Sequence, residues 1–469
     1  MNPAAIATVL PRGDARQLTA LATPIALTQL AQVAISTTNI ALMGSLGVDQ
    51  VAAGGLALVL FNQIRTMCVG LITASGNQVA TVVSRAEKQN RPADDEIRDV
   101  VRSSFLIATI AGLLGAAVLI GLGWSLQWLG QDATVLAQAR PMMMALAPGL
   151  LPCLWFQVVR QYTVGMRRPQ ALLVVTLGSV AVNIVVALAL IHGWAGLPAL
   201  GLTGVGIASS VVFLVTFIVF WTMVRRDRTL GPMLPIRMWP VSGRTVVAEL
   251  RLGAPIALTY GSEAGMFSVL ALAMGTLGPA ALAAHNVVYQ LVYIVFQVAV
   301  GLSHGASILV SRAAAREEYR RAQNLAWLAL RQAAVVAALV GVAYVMAPDL
   351  VLRPFLTGRD SATVDLAHSL LLIAIVLQFF DAAQNIGNGL LRGVEDTRAG
   401  FRLSLVGYWI VGLPAALLLA FPLGLGPAGV WWGLTAGLAT TAALMLRRYL
   451  ALLHHRERTE PRQLADSMS

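Results

Sequence analysis

Charged side chains are scarce in this 469-residue chain: Asp, Glu, Lys and Arg make up 12% of it, against about 25% in ordinary soluble domains. A water-soluble enzyme or scaffold is excluded by that alone. Acids are the scarcer sign, 22 against 33 Lys and Arg, for a net charge of +11. In a soluble protein that excess would suggest nucleic acid. Here the bases are spread over short loops between apolar runs, so no nucleic-acid partner is expected.

Cysteine is nearly absent. Cys68 and Cys153 are the only two, both inside apolar runs, which excludes a disulfide framework and reads as two buried thiols. No Cys/His spacing of a metal site occurs, and no P-loop, GxGxxG or specific Ser/His/Asp arrangement. ATP hydrolysis, a resident cofactor and an enzymatic role are therefore not expected, and no reactive cluster near an interface suggests a membrane-embedded enzyme. The N-terminus lacks the basic segment, short apolar core and small-residue cleavage site of a signal peptide.

What the chain has in quantity is apolar length. It is 57% hydrophobic with a mean hydropathy of +0.73. Twelve runs reach the ~20 residues that span a bilayer: 18–43, 51–83, 103–129, 134–158, 170–192, 203–224, 252–275, 280–310, 326–347, 366–391, 403–421 and 428–446. Runs longer than needed imply tilt or protruding ends. The basic residues alternate by side. Arg12 and Arg16, Arg85 to Arg98, Arg167 and Arg168, Arg225 to Arg244, Arg312 to Arg321, Arg398 and the tail fall on one side, whereas Arg353 and Arg359 are the chief bases of the other. The asymmetry places both termini in the cytoplasm of a bacterial-type inner membrane.

The sequence also repeats. Pro24 to Thr28 (PIALT) recurs as Pro255 to Thr259, and Met43 to Gly47 (MGSLG) as Met274 to Gly278 (MGTLG), both 231 residues on. Ser84 to Ala86 recurs as Ser311 to Ala313, slightly out of step, and Val164-Gly165 ahead of Arg167 sits where Arg392-Gly393 sits ahead of Arg398. Six runs per half give both halves the same orientation, a parallel repeat. The expected fold is an all-α membrane protein of twelve transmembrane helices in two six-helix lobes. The N-terminal lobe spans 1–224, a cytoplasmic linker 225–250, the C-terminal lobe 251–447 and a cytoplasmic tail 448–469. The last dozen residues are polar and expected to be disordered. Folds of this kind place substrate between the halves and work by rocking one against the other. A passive channel fits the two-lobe repeat less well.

Two acids lie deep in apolar runs: Glu263 in the seventh and Asp381 in the tenth. A carboxylate in hydrocarbon costs about 2.5–3.5 kcal/mol on insertion scales, unless it is protonated, paired or hydrated. Such acids are ion or proton sites by default, and inter-helix hydrogen bonding is the plain alternative. Their oxygens suit a proton or a hard cation such as Na⁺. Gln378, Asp381, Gln384, Asn385 and Asn388 follow a three-to-four spacing and form one polar stripe, which should face a cavity or other helices.

The first half has no deep acid. Ser36 to Asn39 occupies the comparable part of the first run, and Asn183 is an isolated polar residue in the fifth. Both are candidate cavity-lining residues, with packing as the alternative. Arg65, beside Asn62 and Gln63 in the second run, is either pore-facing or structural. His285 and His304 in the eighth run can titrate near neutrality, though lone histidines are commonly structural. Phe267, Tyr293 and Tyr408, with Tyr260, Tyr289, Phe296 and Trp409, could line a pocket for flat cations by cation–π contact, or simply pack. Pro24, Pro255 and Pro414 interrupt their runs.

At these residues the chain resembles the multidrug and toxic compound extrusion (MATE) family, in its NorM-like branch. The resemblance is carried by Gln378 to Gln384 (QFFDAAQ), Gly389 to Gly393 (GLLRG), Asp396 to Arg398, Gly407 to Trp409 with Gly412 and Pro414, Gly426 to Gly429 and Trp432-Gly433. Pro255, Glu263, Met274 to Gly278 and His285 fit the seventh and eighth spans. The resemblance implies two lobes opening alternately, and export of organic, mostly cationic, drug-like compounds in exchange for Na⁺ or H⁺. It implies that Glu263 and Asp381 couple to the cation. A first-span aspartate common in the family is replaced here by Asn39, which leaves the second lobe as the expected coupling site. Asn183 resembles a polar position of the first lobe in some members. The protein is expected to act as a monomer among membrane lipids. A lipid-linked oligosaccharide flippase of the same superfamily is the alternative, but it would want a larger basic cavity than Arg65 and Arg160 provide.

Overall fold

A bilayer offers no water to backbone N–H and C=O groups, so an apolar run must satisfy them within itself, as helix. The computed structural model describes residues 12–44, 46–129, 133–194, 198–235, 240–356 and 361–468, and helix is its dominant element. Arg237 and Arg359 lie outside the described residues. Among the described residues twelve helical stretches are long and apolar enough to cross a membrane, and each of the twelve expected runs falls on one of them.

In order these are α1 (Arg12–Gly44), α2 with α3 (Val48–Thr73, Ser75–Gln89), α4 (Asp94–Ser125), α5 with α6 (Ala133–Leu146, Leu150–Gly165), α7 (Gln170–His192) and α8 (Gly201–Arg226). Then come α9 (Gly243–Thr276), α10 (Pro279–Ala315), α11 (Tyr319–Met346), the short α12 (Pro348–Leu356) and α13 (Ser361–Gly393). The eleventh span joins α14 (Thr397–Leu405), a π-helical stretch (Val406–Gly412) and α15 (Leu413–Ala420); α16 (Gly426–Met468) ends the chain. The final residues, expected to be disordered, thus continue as helix to Met468. The buried side chains of Tyr449 and Leu453, with Tyr449 Oη donating to Ala322 O at 2.9 Å, give the first turns of that extension a packed face.

The repeat is written in the backbone as well. Gly47 and Gly278, 231 residues apart, hold φ of 126° and 121° immediately before α2 and α10. Among the described residues four non-glycine residues take left-handed φ, and they pair across the two halves, 227 and 228 residues apart: Asn90 (50°) with Glu317 (65°), and Arg167 (60°) with Glu395 (65°). Each closes a helix end. The N–H groups of Arg91, Arg168, Glu318 and Asp396 reach back to the carbonyls of Ala86, Thr163, Ala313 and Leu391 at 2.8–3.1 Å, the six-to-one bond of a Schellman turn.

The chain divides into two compact units, one of Leu27–Gly261 and one of Ser262–Ser469 with the residues up to Ala26. In the first, small residues let helices approach closely. A Cβ on Gly204 (α8) would lie 2.9 Å from the Leu190 carbonyl of α7, and one on Gly206 2.9 Å from that of Met142 on α5. Ser210 Oγ donates to Ala145 O at 2.6 Å. Beyond α8, the carboxylate of Asp227 accepts N–H bonds from Leu230 and Thr229 at 2.9 and 2.8 Å. Those bonds, with Arg168 at 3.8 Å, hold its carboxyl below the usual range.

In the second unit α10 and α13 form the most extensive pair. Ser303, Ser307 and Ser311 line one face of α10 at four-residue spacing. Ser303 donates to Asn385 O at 2.7 Å, Ser311 to Gly393 O at 3.1 Å, and Ser307 accepts from Arg392 Nε at 3.1 Å. Gly389 of α13 sits so close that a Cβ would fall 2.5 Å from Ser303 O. Gly407, Gly412, Gly433 and Gly437 form a second seam between the eleventh span and α16, where a Cβ on Gly433 would lie 2.1 Å from the Ala416 nitrogen of α15. These seams fix the register of α13 and of Tyr408, and so fix the site.

Candidate functional site

The polar stripe of α13 faces inward. Gln378, Asp381, Gln384 and Asn385 are all buried, Gln384 completely. From α9, the seventh span, Glu263 joins it at 9% exposure. Gln384 Nε2 donates to Glu263 Oε1 at 3.3 Å, and Asn385 Nδ2 donates to Asp381 Oδ1 at 3.3 Å and to its backbone oxygen at 3.1 Å. Adjacent residues of one helix therefore hold the two carboxyls. Among the described residues no Lys or Arg pairs with either acid. The π-helical stretch presents Tyr408, which is wholly buried and donates to Gln384 Oε1 at 2.8 Å. Such stretches are rare and recur at functional positions.

Asp381 and Gln378 open on a small cavity whose other walls are apolar, among them Phe296, Leu302 and Ala337. Gln378 donates to Tyr344 Oη at 3.3 Å, and its Oε1 has no partner. Next to this cavity an aromatic ladder climbs α10. Phe296, Tyr293, Tyr289 and His285 stack with centroids 5.9–6.3 Å apart. Phe267 of α9 lies 5.1 Å from Tyr289, and Trp431 meets His285 edge-on. Phe267 and Tyr293 thus come together in one aromatic wall. Asn388, one turn beyond Gln384, is half-buried and faces Gly400 of α14.

The donors here are carboxylate, amide and phenol oxygens, which suit a proton or a hard cation. Among the described residues no group of three or more His, Cys, Asp or Glu forms a metal centre.

Asn39 and Asn183 belong to the other unit, and they also meet. Asn183 Nδ2 donates to Asn39 Oδ1 at 2.9 Å, and Asn39 Nδ2 to Ser209 Oγ at 3.2 Å. Both line one cavity into which Arg65 also opens. Arg160, by contrast, is buried on α6 and donates to Gln157 at 3.1 Å.

Several partners gave no sequence signal. Ser209 and Tyr344 are ordinary members of apolar helices, and only their neighbours reveal them. Glu249 did leave a trace. Flanked by Val246, Val247, Ala248 and Leu250, it reads as the end of a polar linker, yet on α9 it is 2% exposed, with Ser104 Oγ donating to Oε1 at 2.9 Å.

Twelve apolar helices among the described residues define a multi-pass membrane protein. The MatE family model matches residues 24–189 and 255–418, two segments that begin at the repeated prolines. A probable multidrug resistance protein NorM of Bradyrhizobium diazoefficiens is 35% identical over 444 residues, 92% of each chain. The multidrug resistance protein NorM of Burkholderia vietnamiensis is 33% identical over 438 residues, again 92% of each. Among solved structures, the eukaryotic MATE transporter AtDTX14 superposes with a TM-score of 0.81 at 20% identity, covering 95% of this chain and 99% of that one. An outward-facing multidrug resistance MATE family transporter superposes at 0.85 and 17% identity, covering 94% and 96%. These two show the fold alone. The chain belongs to the MatE family of membrane transporters.

Proposed function

We propose that the protein is a secondary antiporter that exports organic, mostly cationic, compounds across the inner membrane in exchange for Na⁺ or H⁺. The observation that carries this reading is the pair of buried carboxyls, Glu263 and Asp381, held by neighbouring amides of α13 with no basic partner among the described residues. A buried acid of this kind is tolerated when a proton or cation neutralises it. Neutralisation alters the cost of burying the site. That change drives transport only if the cation binds the alternating states with different affinity. The aromatic wall of α10 supplies ring faces for a flat cation beside the Asp381 cavity. The multidrug names of the NorM relatives support the same substrate class. The basic loops support cytoplasmic termini, and no second subunit is required. The flippase alternative would require a basic chamber, and among the described residues Arg65 is the one charged residue lining the cavity of the Leu27–Gly261 unit.

The test is drug export by purified protein in vesicles with imposed Na⁺ or pH gradients. Asp381→Asn and Glu263→Gln should each insert at normal levels and lose gradient-driven export. Full export by both variants would overturn the reading, and the gradient that supports transport identifies the coupling ion.

A further inference from the structure

Three arginines of the second unit are matched by acids. Arg321 is held by Asp14 and Glu318, Arg320 by Glu457, and Arg448 by Asp396. Arg398 and Arg402 are not. Both are exposed on α14, and among the described residues no carboxylate pairs with either. The acids of the preceding turn do not serve them. Asp396 accepts from Arg448 Nε at 2.8 Å, and Glu395 is exposed and pairs with neither.

Four residues apart, the two arginines are neighbours on one helix face, roughly 5–6 Å apart at Cβ. Like charges so placed weaken a helix, and an anion shared between them reverses that cost. Helical Cα–Cβ bonds tilt toward the N-terminus, so Arg402 leans back toward Arg398 at the start of the span. The depth is also informative. α14 opens the eleventh span, Thr397–Ala420, and its continuous apolar run starts at Leu403. Arg402 therefore adjoins the hydrocarbon edge, and Arg398 lies about 6 Å further out along the axis. The headgroup layer of a bilayer occupies roughly those first 5–8 Å. Deeper in the same span Ile410, Leu417 and Leu418 are exposed, an apolar surface for acyl chains. A guanidinium fork matches the oxygens of a phosphate with two parallel bonds.

We propose that Arg398 and Arg402 form a binding site for an anionic phospholipid, its phosphodiester shared between the two guanidiniums and its acyl chains lying along the eleventh span. The site needs only that this span cross the membrane. It goes beyond the export reading and does not depend on it. It also differs from the general attraction of basic loops for an anionic surface, because it resides in two particular side chains.

Native mass spectrometry of the full chain in detergent, titrated with dioleoylphosphatidylglycerol or with zwitterionic dioleoylphosphatidylcholine, tests it through the affinity for the first lipid bound. The wild type should prefer the anionic lipid about thirtyfold. Arg398→Gln and Arg402→Gln should each lower that preference about fivefold, the worth of one base at an anionic headgroup, and the double variant should bring it close to one. Arg402→Lys should keep most of it. Arg458→Gln removes the same charge about 18 Å beyond the end of the twelfth apolar run and should leave the preference unchanged. Equal binding of the two lipids by the wild type, an unchanged preference in the double variant, or an equal loss in Arg458→Gln overturns the proposal. So does displacement of the lipid by millimolar glycerol 3-phosphate, which would make this a site for free phosphate esters. Asp381→Asn, expected to be inactive in export, should retain the full preference, so failure of the coupling reading and failure of this one are separately visible.

Discussion

Gln384 is the hinge of the acid site through its bond to Glu263: Nε2 donates to the carboxylate at 3.3 Å, while Oε1 accepts the Tyr408 hydroxyl at 2.8 Å. Gln384→Leu keeps the volume and removes both roles, leaving two buried polar groups unmatched. Loss of stability should be about 1–3 kcal/mol per orphaned group. In vesicle export assays the cation or proton concentration for half-maximal activity should move further than the maximal rate. Tyr408→Phe orphans only Gln384 Oε1 and should show the smaller stability loss of the two in thermal unfolding.

Glu249 and Ser104 form a buried pair in the Leu27–Gly261 unit. Ser104→Ala removes the one hydroxyl that serves the carboxyl and should lower stability by about 1–3 kcal/mol. The double variant Ser104→Ala with Glu249→Leu should recover part of that loss, because replacing both partners with apolar groups leaves nothing unmatched. Thermal unfolding of the four proteins in one detergent closes the cycle.

Two glycines should behave oppositely. A Cβ on Gly407 would lie 1.8 Å from Thr441 Oγ1 and 2.8 Å from the Gly437 carbonyl, whereas one on Gly178 would meet nothing within 4 Å. Gly407→Ala should cost about 1–3 kcal/mol by overpacking. Gly178→Ala should be neutral or stabilising by up to about 1 kcal/mol, from helix propensity. Melting temperatures of the two variants give the comparison.

Asp227 provides a pH dependence outside the membrane spans. Its carboxyl is held below the ordinary range by the N–H groups of Leu230 and Thr229. A depressed folded-state pKa stabilises the protein above the unfolded value and loses that contribution as pH falls through the folded one. Asp227→Asn should therefore melt below the wild type at neutral pH, and the two curves should converge as the medium is acidified below the normal carboxylate range. A gap that stayed constant with pH would contradict this origin.

The twelve spans were legible because apolar length is a property of the sequence alone, and the repeat because PIALT and MG(S/T)LG survive as strings. The stripe on α13 was legible from its three-to-four spacing. What the spacing lacked was partners. Nothing local distinguishes Ser209 from any other serine in an apolar helix, yet it receives Asn39 across a distance of 170 residues. Glu249 was obscured by its place at the end of a polar stretch, since helix burial depends on what α4 brings against it. The winding of Val406–Gly412 has no sequence signature, because π-helix and α-helix draw on the same residues.

That winding amounts to a surplus residue absorbed by the eleventh span. A π turn holds about one residue more than an α turn, so rewinding 406–412 as ordinary α-helix at the same length would rotate everything beyond it. The Pro414 side would then swing by about 100° against the Tyr408 side. The glycine seam against α16 and the phenol contact with Gln384 are both met only with the present winding. A relative one residue shorter here could wind as α-helix throughout and keep both.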